Sequence, residues 1–262
     1  MKMKILFLGD IVGKPGRDVT ARVLPDMKKD EKIDFVIANA ENAAGGSGIT
    51  PTIAQELFAS GVDALTSGDH IWKKPEVYPY LEATDKVIRP ANYPEGVPGK
   101  GSTVIKAPNG VKVGVINLLG RVFMDPLDCP FASVKKELEK VRKETPVIVV
   151  DMHAEATSEK IAMGWFLDGV VSAVVGTHTH VQTADEKILP KGTAYITDCG
   201  MTGPYDSVIG RKKENVIERF ITQLPTRFEV ASGNEEMHGV LVTVDPKTGK
   251  ALAITRVQKK IK

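Results

Sequence analysis

The chain has 262 residues, a formal net charge of +2, 42% apolar and 26% charged residues. That length buries a full core and suits one large α/β domain or two small ones, at about 150 residues per domain. The composition excludes a disordered chain, and the small net charge excludes nucleic-acid binding by bulk electrostatics.

The first apolar run, residues 4–9, is too short for a secretory leader, lacks a small-residue cleavage site and continues directly into Asp10. It reads as a buried strand. A helix is expected from Arg17 to Lys29, with Pro15 near its start. Strand 34–40 leads into a Gly-rich loop and then a helix to about Ser60, where Thr50 can cap the first turn and Pro51 suits the first helical position. Strand 62–66 and a short helix from Lys74 to Leu81 follow. This βαβα order favours a largely parallel sheet with helices on its faces.

The proline-rich middle predicts loops, an antiparallel element from Ser102 to Ala107, and a turn at Asn109-Gly110 into strand 111–118. Then come helix 130–143, strand 146–151, helix 158–167, strand 170–175 and strand 193–197. Segments 239–244 and 251–257, joined by Asp245-Pro246-Lys247-Thr248-Gly249, predict a hairpin on a sheet edge. The basic end from Arg256 to Lys262 reads as a solvated strand terminus. No linker divides the chain, so residues 1–262 are expected to form a single domain. No apolar stretch approaches the roughly 20 residues of a membrane span, and Cys129 and Cys199 lack CxxC spacing. A cytoplasmic protein with two reduced thiols is therefore expected.

The chemistry gathers where the strands end. Four of the five histidines stand just past apolar runs, in Gly68-Asp69-His70, Asp151-Met152-His153 and Gly176-Thr177-His178-Thr179-His180. Asp10 and Glu41 stand in the same place after two other runs. Loops beyond the carboxyl ends of strands in an α/β sheet share a crevice, so these residues can converge. Neutral imidazoles with carboxylates make a divalent metal site. His178 and His180, two apart in an extended segment, would address one site. The glycines of Ala43-Ala44-Gly45-Gly46-Ser47-Gly48 would let backbone N–H groups approach an anion. His238 lacks such company and reads as structural. Gly9 to Lys14 is too short for a Walker loop, and there is no His-Glu-x-x-His helix, Gly-x-Ser-x-Gly elbow or Gly-x-Gly-x-x-Gly fingerprint.

The closing Gly-x-His-x-His resembles that of calcineurin-like metallophosphoesterases. Gly9-Asp10-Ile11-Val12-Gly13, Glu41-Asn42-Ala43-Ala44-Gly45-Gly46, Gly120-Arg121-Val122-Phe123-Met124, the Gly176–His180 motif and Gly200-Met201-Thr202-Gly203-Pro204-Tyr205-Asp206-Ser207 together resemble the YmdB family of bacterial phosphodiesterases. The resemblance implies a four-layer α/β/β/α sandwich of two mixed sheets, a centre of two divalent metals, iron or manganese, and hydrolysis of 2',3'- or 3',5'-cyclic nucleotides. It places Asp10 and His180 on one metal, Asp69, His153 and His178 on the other, and Glu41 between them. His70 becomes the general acid and Asn42 a substrate contact. Two positions depart from the wider pattern: Val12 where the superfamily has His, a change the YmdB group shares, and Asp69 where the usual motif is Gly-Asn-His.

The expected reaction is attack by a metal-bridging hydroxide on a small nucleotide diester, with His70 protonating the departing ribose oxygen. A phosphomonoesterase or protein phosphatase is one rival, disfavoured by the arginine-poor surroundings of the motifs. The other is a regulatory protein that only binds metal or nucleotide. Neither a membrane nor DNA is an expected partner, and a homo-oligomer is compatible with the chain.

Overall fold

A computed structural model describes residues 2–260 of the chain. Two mixed sheets face each other. In the first, β1 (Met3–Leu8), β3 (Phe35–Asn39) and β4 (Ala64–Thr66) run parallel, while β12 (Glu235–Val244) is antiparallel to β1. Beyond β1 on the same side of β12 lies β11 (Met201–Pro204), itself paired with the two-residue β2 (Asp10–Ile11). The last strand, β13 (Ala251–Lys260), closes the edge against β12. The second sheet has the order β5 (Ser102–Lys106), β6 (Lys112–Leu119), β7 (Ile148–His153), β8 (Ala173–Thr177), β10 (Ala194–Ile196), β9 (Lys187–Ile188). Its four inner strands are parallel and its two edge strands antiparallel.

Alternation along the strands explains the layers. In β1, Ile5 and Phe7 face the second sheet, joining Val113, Val115, Val149 and Val175 in a dry core between the sheets. Leu6 and Leu8 face outward under the helices α1 (Gly13–Asp30), α2 (Pro51–Ala59) and α3 (Val77–Ala83). On the far side, Ile116, Leu118, Ile148 and Val150 pack under α4 (Pro130–Val141) and α5 (Thr157–Phe166). The arrangement is the four-layer sandwich, with the central strands of both sheets buried on both faces and the edge strand β13 largely exposed. It is the pair of mixed sheets that the resemblance implied; the βαβα rhythm by itself pointed only to a largely parallel sheet, because local order shows parallel pairing but not which strands share a sheet.

Helix starts follow local chemistry. Thr50 accepts the Ile53 N–H at 3.3 Å and Pro51 opens α2, as expected. Helix α1 begins at Gly13 rather than Arg17, with Pro15 in its first turn, where a missing N–H costs nothing. The terminal hairpin lies on the edge as expected, but β12 starts four residues earlier, at Glu235, and β13 runs to Lys260. Of the basic end, Ile261 and Lys262 lie outside the described residues. Cys129 and Cys199 are both free. No helix among the described residues is long and apolar enough to cross a membrane.

Candidate metal centre

The carboxylates and His70 come from one sheet, and the other three imidazoles from the second. Asp10 follows β1, Glu41 follows β3, and Asp69 and His70 follow β4. His153 ends β7, and His178 and His180 follow β8. Glu41, Asp69, His153 and His178 each contribute a donor atom to a group lying within 4.8 Å of one another. His153 Nε2 is 3.2 Å from both Glu41 Oε2 and Asp69 Oδ1, and 3.0 Å from His178 Nδ1. Asp10 and His180 flank this group, with His180 Nε2 3.7 Å from Asp10 Oδ1.

Three observations show that these residues fit a divalent cation. The buried Asp10 Oδ1 has no hydrogen-bond partner among the described residues. A methyl on Gly68 would lie 2.2 Å from Glu41 Oε2 and 2.3 Å from His153 Nε2, so the cradle is kept open by the lack of a side chain. His153, His178 and His180 each also have the other ring nitrogen engaged, so the inward one is the nitrogen that would face a metal. His153 Nδ1 is 2.8 Å from Thr177 Oγ1, His180 Nδ1 donates to the Ile209 carbonyl at 2.9 Å, and His178 Nε2 is 3.2 Å from Glu155 Oε2.

Crowding of charge shows in the titration directions. Burial pushes Asp10 up. Burial would also raise Glu41, but His153 and His70 hold it well below the usual carboxylate range. Conversely, burial disfavours a charged His153, yet Glu41 and Asp69 hold it well above the ordinary imidazole value. The hydrogen bond with Glu41 raises His70. His70 sits beside the group, its Nδ1 2.9 Å from Asn42 Oδ1 and its Nε2 3.6 Å from Asp69 Oδ2. Asn42 also donates to Glu41 Oε1 at 2.8 Å and lies 3.3 Å from His180 Nε2. All eight expected site residues therefore meet at one place. His238 is apart, bonded to Glu236 at 3.0 Å and stacked on Tyr205.

Two expectations about how the site is built are corrected. His178 and His180 are not in an extended segment: their φ angles are +98° and +64°. Strand β8 starts three residues late, at Ala173, because the Val170 and Val171 N–H groups turn back onto the Leu167 carbonyl, and it ends at Thr177. The turn beyond it is held from below. Asp198 accepts from Thr179 N at 3.1 Å and Thr179 Oγ1 at 2.6 Å, and pairs at 2.7 Å with the fully buried Lys160. Lys160 also donates to the Thr177 carbonyl at 2.9 Å.

In the Gly-rich loop the N–H groups of Ala43, Ala44, Ser47 and Gly48 are bonded to carbonyls, so only those of Gly45 and Gly46 would be left to approach an anion. Two arginines tether the loop: Arg17 bonds the Ala43 carbonyl and Arg211 the Gly46 carbonyl. The surroundings are thus not arginine-poor. Arg211 comes from a loop about 165 residues away in sequence, too far for motif reading to see.

Under the centre lies a buried polar network that the motifs do not announce. Asp151 accepts from Thr66 Oγ1 at 2.5 Å, Asn39 Nδ2 at 3.0 Å and Thr177 Oγ1 at 2.7 Å. Burial pushes it up to about 6. The available signal is its spacing, since Asp151 and His153 share one face of β7. Lys160 gives no such signal, because a lysine in a helix usually reads as solvated.

Known proteins resemble the chain over nearly its whole length. The chain is 53% identical over 255 residues to the 2',3'-cyclic-nucleotide 2'-phosphodiesterase of Bacillus subtilis, covering 97% of this chain and 96% of that one. A crystal structure of a hypothetical protein from Thermus thermophilus superposes with a TM-score of 0.92 at 42% identity, over 98% of this chain and 99% of that one. The crystal structure of a novel phosphatase of Mycoplasma pneumoniae also gives 0.92, at 35% identity, over 99% and 94%. The model of the YmdB-like protein family matches residues 6–257, and the chain belongs to that family.

Proposed function

We propose that this chain is a two-metal phosphodiesterase that hydrolyses nucleoside 2',3'-cyclic phosphates, with the whole chain serving as one catalytic domain. The observation that carries the reading is the convergence of Asp10, Glu41, Asp69, His153, His178 and His180 between two sheets, with His70 alongside. The 53% identity to a protein named for this reaction supports the substrate class. Asp10 and His180 would hold one cation, Asp69, His153 and His178 the other, with Glu41 shared between them. Iron or manganese suits such a mixed set of imidazoles and carboxylates. When bound, the pair supplies Lewis-acid stabilisation of phosphoryl oxygens and lowers the pKa of the attacking water.

The chain's own residues do the rest. Asn42 and Glu41 lie on the Nδ1 side of the His70 ring, so Nε2 is the nitrogen that meets the leaving group. Water adds to phosphorus, the bond from phosphorus to O2' breaks, and His70 delivers the proton to O2', leaving a 3'-monoester. Asp69 offers a carboxylate where the family's usual motif offers an amide, and it remains a competent hard ligand.

The test is purified protein loaded with manganese or iron and assayed on adenosine 2',3'-cyclic phosphate, on its 3',5' isomer and on a nucleoside monophosphate, with metal content measured in parallel. The reading expects two metals per chain and preferred turnover of the 2',3' diester. Glu41→Gln should abolish most of that turnover while the fold is kept. Faster hydrolysis of the monoester, or full activity of Glu41→Gln with both metals retained, overturns it.

A further inference from the structure

The segment Gly120-Arg121-Val122-Phe123-Met124 has no part in the metal set, yet it is built with unusual care. It begins where β6 ends, and Leu119 is paired in register with His153. The Gly120 N–H donates to the His153 carbonyl at 2.9 Å. A methyl on Gly120 would lie 2.6 Å from both Ala154 Cβ and Glu159 Oε2, so the loop lies directly against the strand end that carries a metal ligand. Phe123 is three residues farther on, within about 11 Å of Gly120 by chain length alone.

The loop is rigid at both its base and its shoulder. Asn92 clamps the base, donating to the Leu119 and Asp128 carbonyls at 2.8 and 3.1 Å and accepting from the Leu119 N–H at 2.8 Å. At the shoulder, the buried Glu159 carboxylate accepts the N–H groups of Arg121 at 3.1 Å and Val122 at 3.3 Å. Met124 turns inward onto the core beneath α4 and α5. Phe123 is left 89% exposed. Its φ is +61°, in the left-handed region that a bulky side chain rarely enters. Strain of this kind persists only where surrounding structure imposes it, and it clusters at ligand sites.

We propose that Phe123 is the nucleobase platform of this site, an aromatic face held in water so that the base of a bound cyclic nucleotide stacks on it while the phosphodiester lies at the metal ligands. The proposal rests on the cyclic-nucleotide reading above. Every base offers a π-face, so stacking confers preference for nucleotides over base-free diesters with only modest selection among bases.

The probes are adenosine and uridine 2',3'-cyclic phosphates and ribose 2',3'-cyclic phosphate, which has no base. Phe123→Ala should raise KM for both nucleotides about 10- to 100-fold, leave kcat within about twofold, and leave the base-free compound unaffected. Phe123→Trp should keep the wild-type KM. An unchanged nucleotide KM in Phe123→Ala, or an equal loss on the base-free compound, overturns the platform. So does a changed sedimentation coefficient in Phe123→Ala, which would make the ring a contact between copies of the chain. Should metal-loaded wild type turn over none of the three, the phosphodiesterase reading fails by itself. Calorimetric binding of adenosine 3'-monophosphate then decides: weakening of about tenfold in Phe123→Ala upholds the platform, and equal or absent binding removes it.

Discussion

Gly68 shows how a single absent side chain can define a site. Its missing Cβ is what leaves room between Glu41 Oε2 and His153 Nε2. We expect Gly68→Ala to fold yet to lose most bound metal, with activity falling about 10- to 100-fold, the scale seen when a supporting group of a metal site is lost. Elemental analysis beside circular dichroism checks this, and full metal content in the variant would refute it. Lys160 acts from below. Removing it in Lys160→Met strands the Asp198 carboxylate in the interior, where breaking one half of a buried pair costs about 3–5 kcal/mol. Denaturant titration should show that loss, and the turn bearing His178 and His180 should bind metal more weakly; an unchanged midpoint would show that Asp198 finds another partner. All eight candidate positions that meet at the centre were legible because short motifs at strand ends carry them. Lys160, Asp198 and Arg211 were not, because their partners are distant in sequence and nothing local marks them as buried.

At the level of elements, apolar runs and caps located the strands and helices that frame the site, while the shortest pieces escaped. Strands β2 and β9 have two residues each, below any periodicity. Helix α6, Lys213–Thr222, lies outside the expected elements although Val216, Phe220 and Ile221 have helical spacing. Its packing differs in kind from that of α1. Val216 is the only buried residue of α6, whereas α1 buries six, and Ile217, Phe220 and Ile221 face solvent. Local stability follows buried apolar contact. Amide exchange in residues 213–222 should therefore be at least about tenfold faster than in the middle of α1, as read by peptide-resolved mass spectrometry. Equal protection of the two helices would mean that another surface covers α6 in solution.

Across the whole molecule, the centre is a place where the two sheets are joined by charge rather than by apolar packing. Asp10, Glu41 and Asp69 lie in or just past strands of the first sheet, and His153, His178 and His180 in or just past strands of the second. Their side chains meet at the edge of the core formed by Phe7, Ile37, Val149 and Val175. Three carboxylates drawn together there repel one another, and a cation that binds the folded chain but not the unfolded one stabilises it by mass action. At a metal concentration about 100 times the dissociation constant the gain is about 2.7 kcal/mol, which for a chain of this size corresponds to a Tm increase of roughly 5–10 °C. Scanning calorimetry of manganese-loaded and chelator-treated protein should show that difference. The same comparison on Gly68→Ala should show almost none, since the cradle is filled. A rise of equal size in both proteins would place the stabilising cation elsewhere, and no rise in the wild type would mean that the two sheets do not depend on metal to stay together.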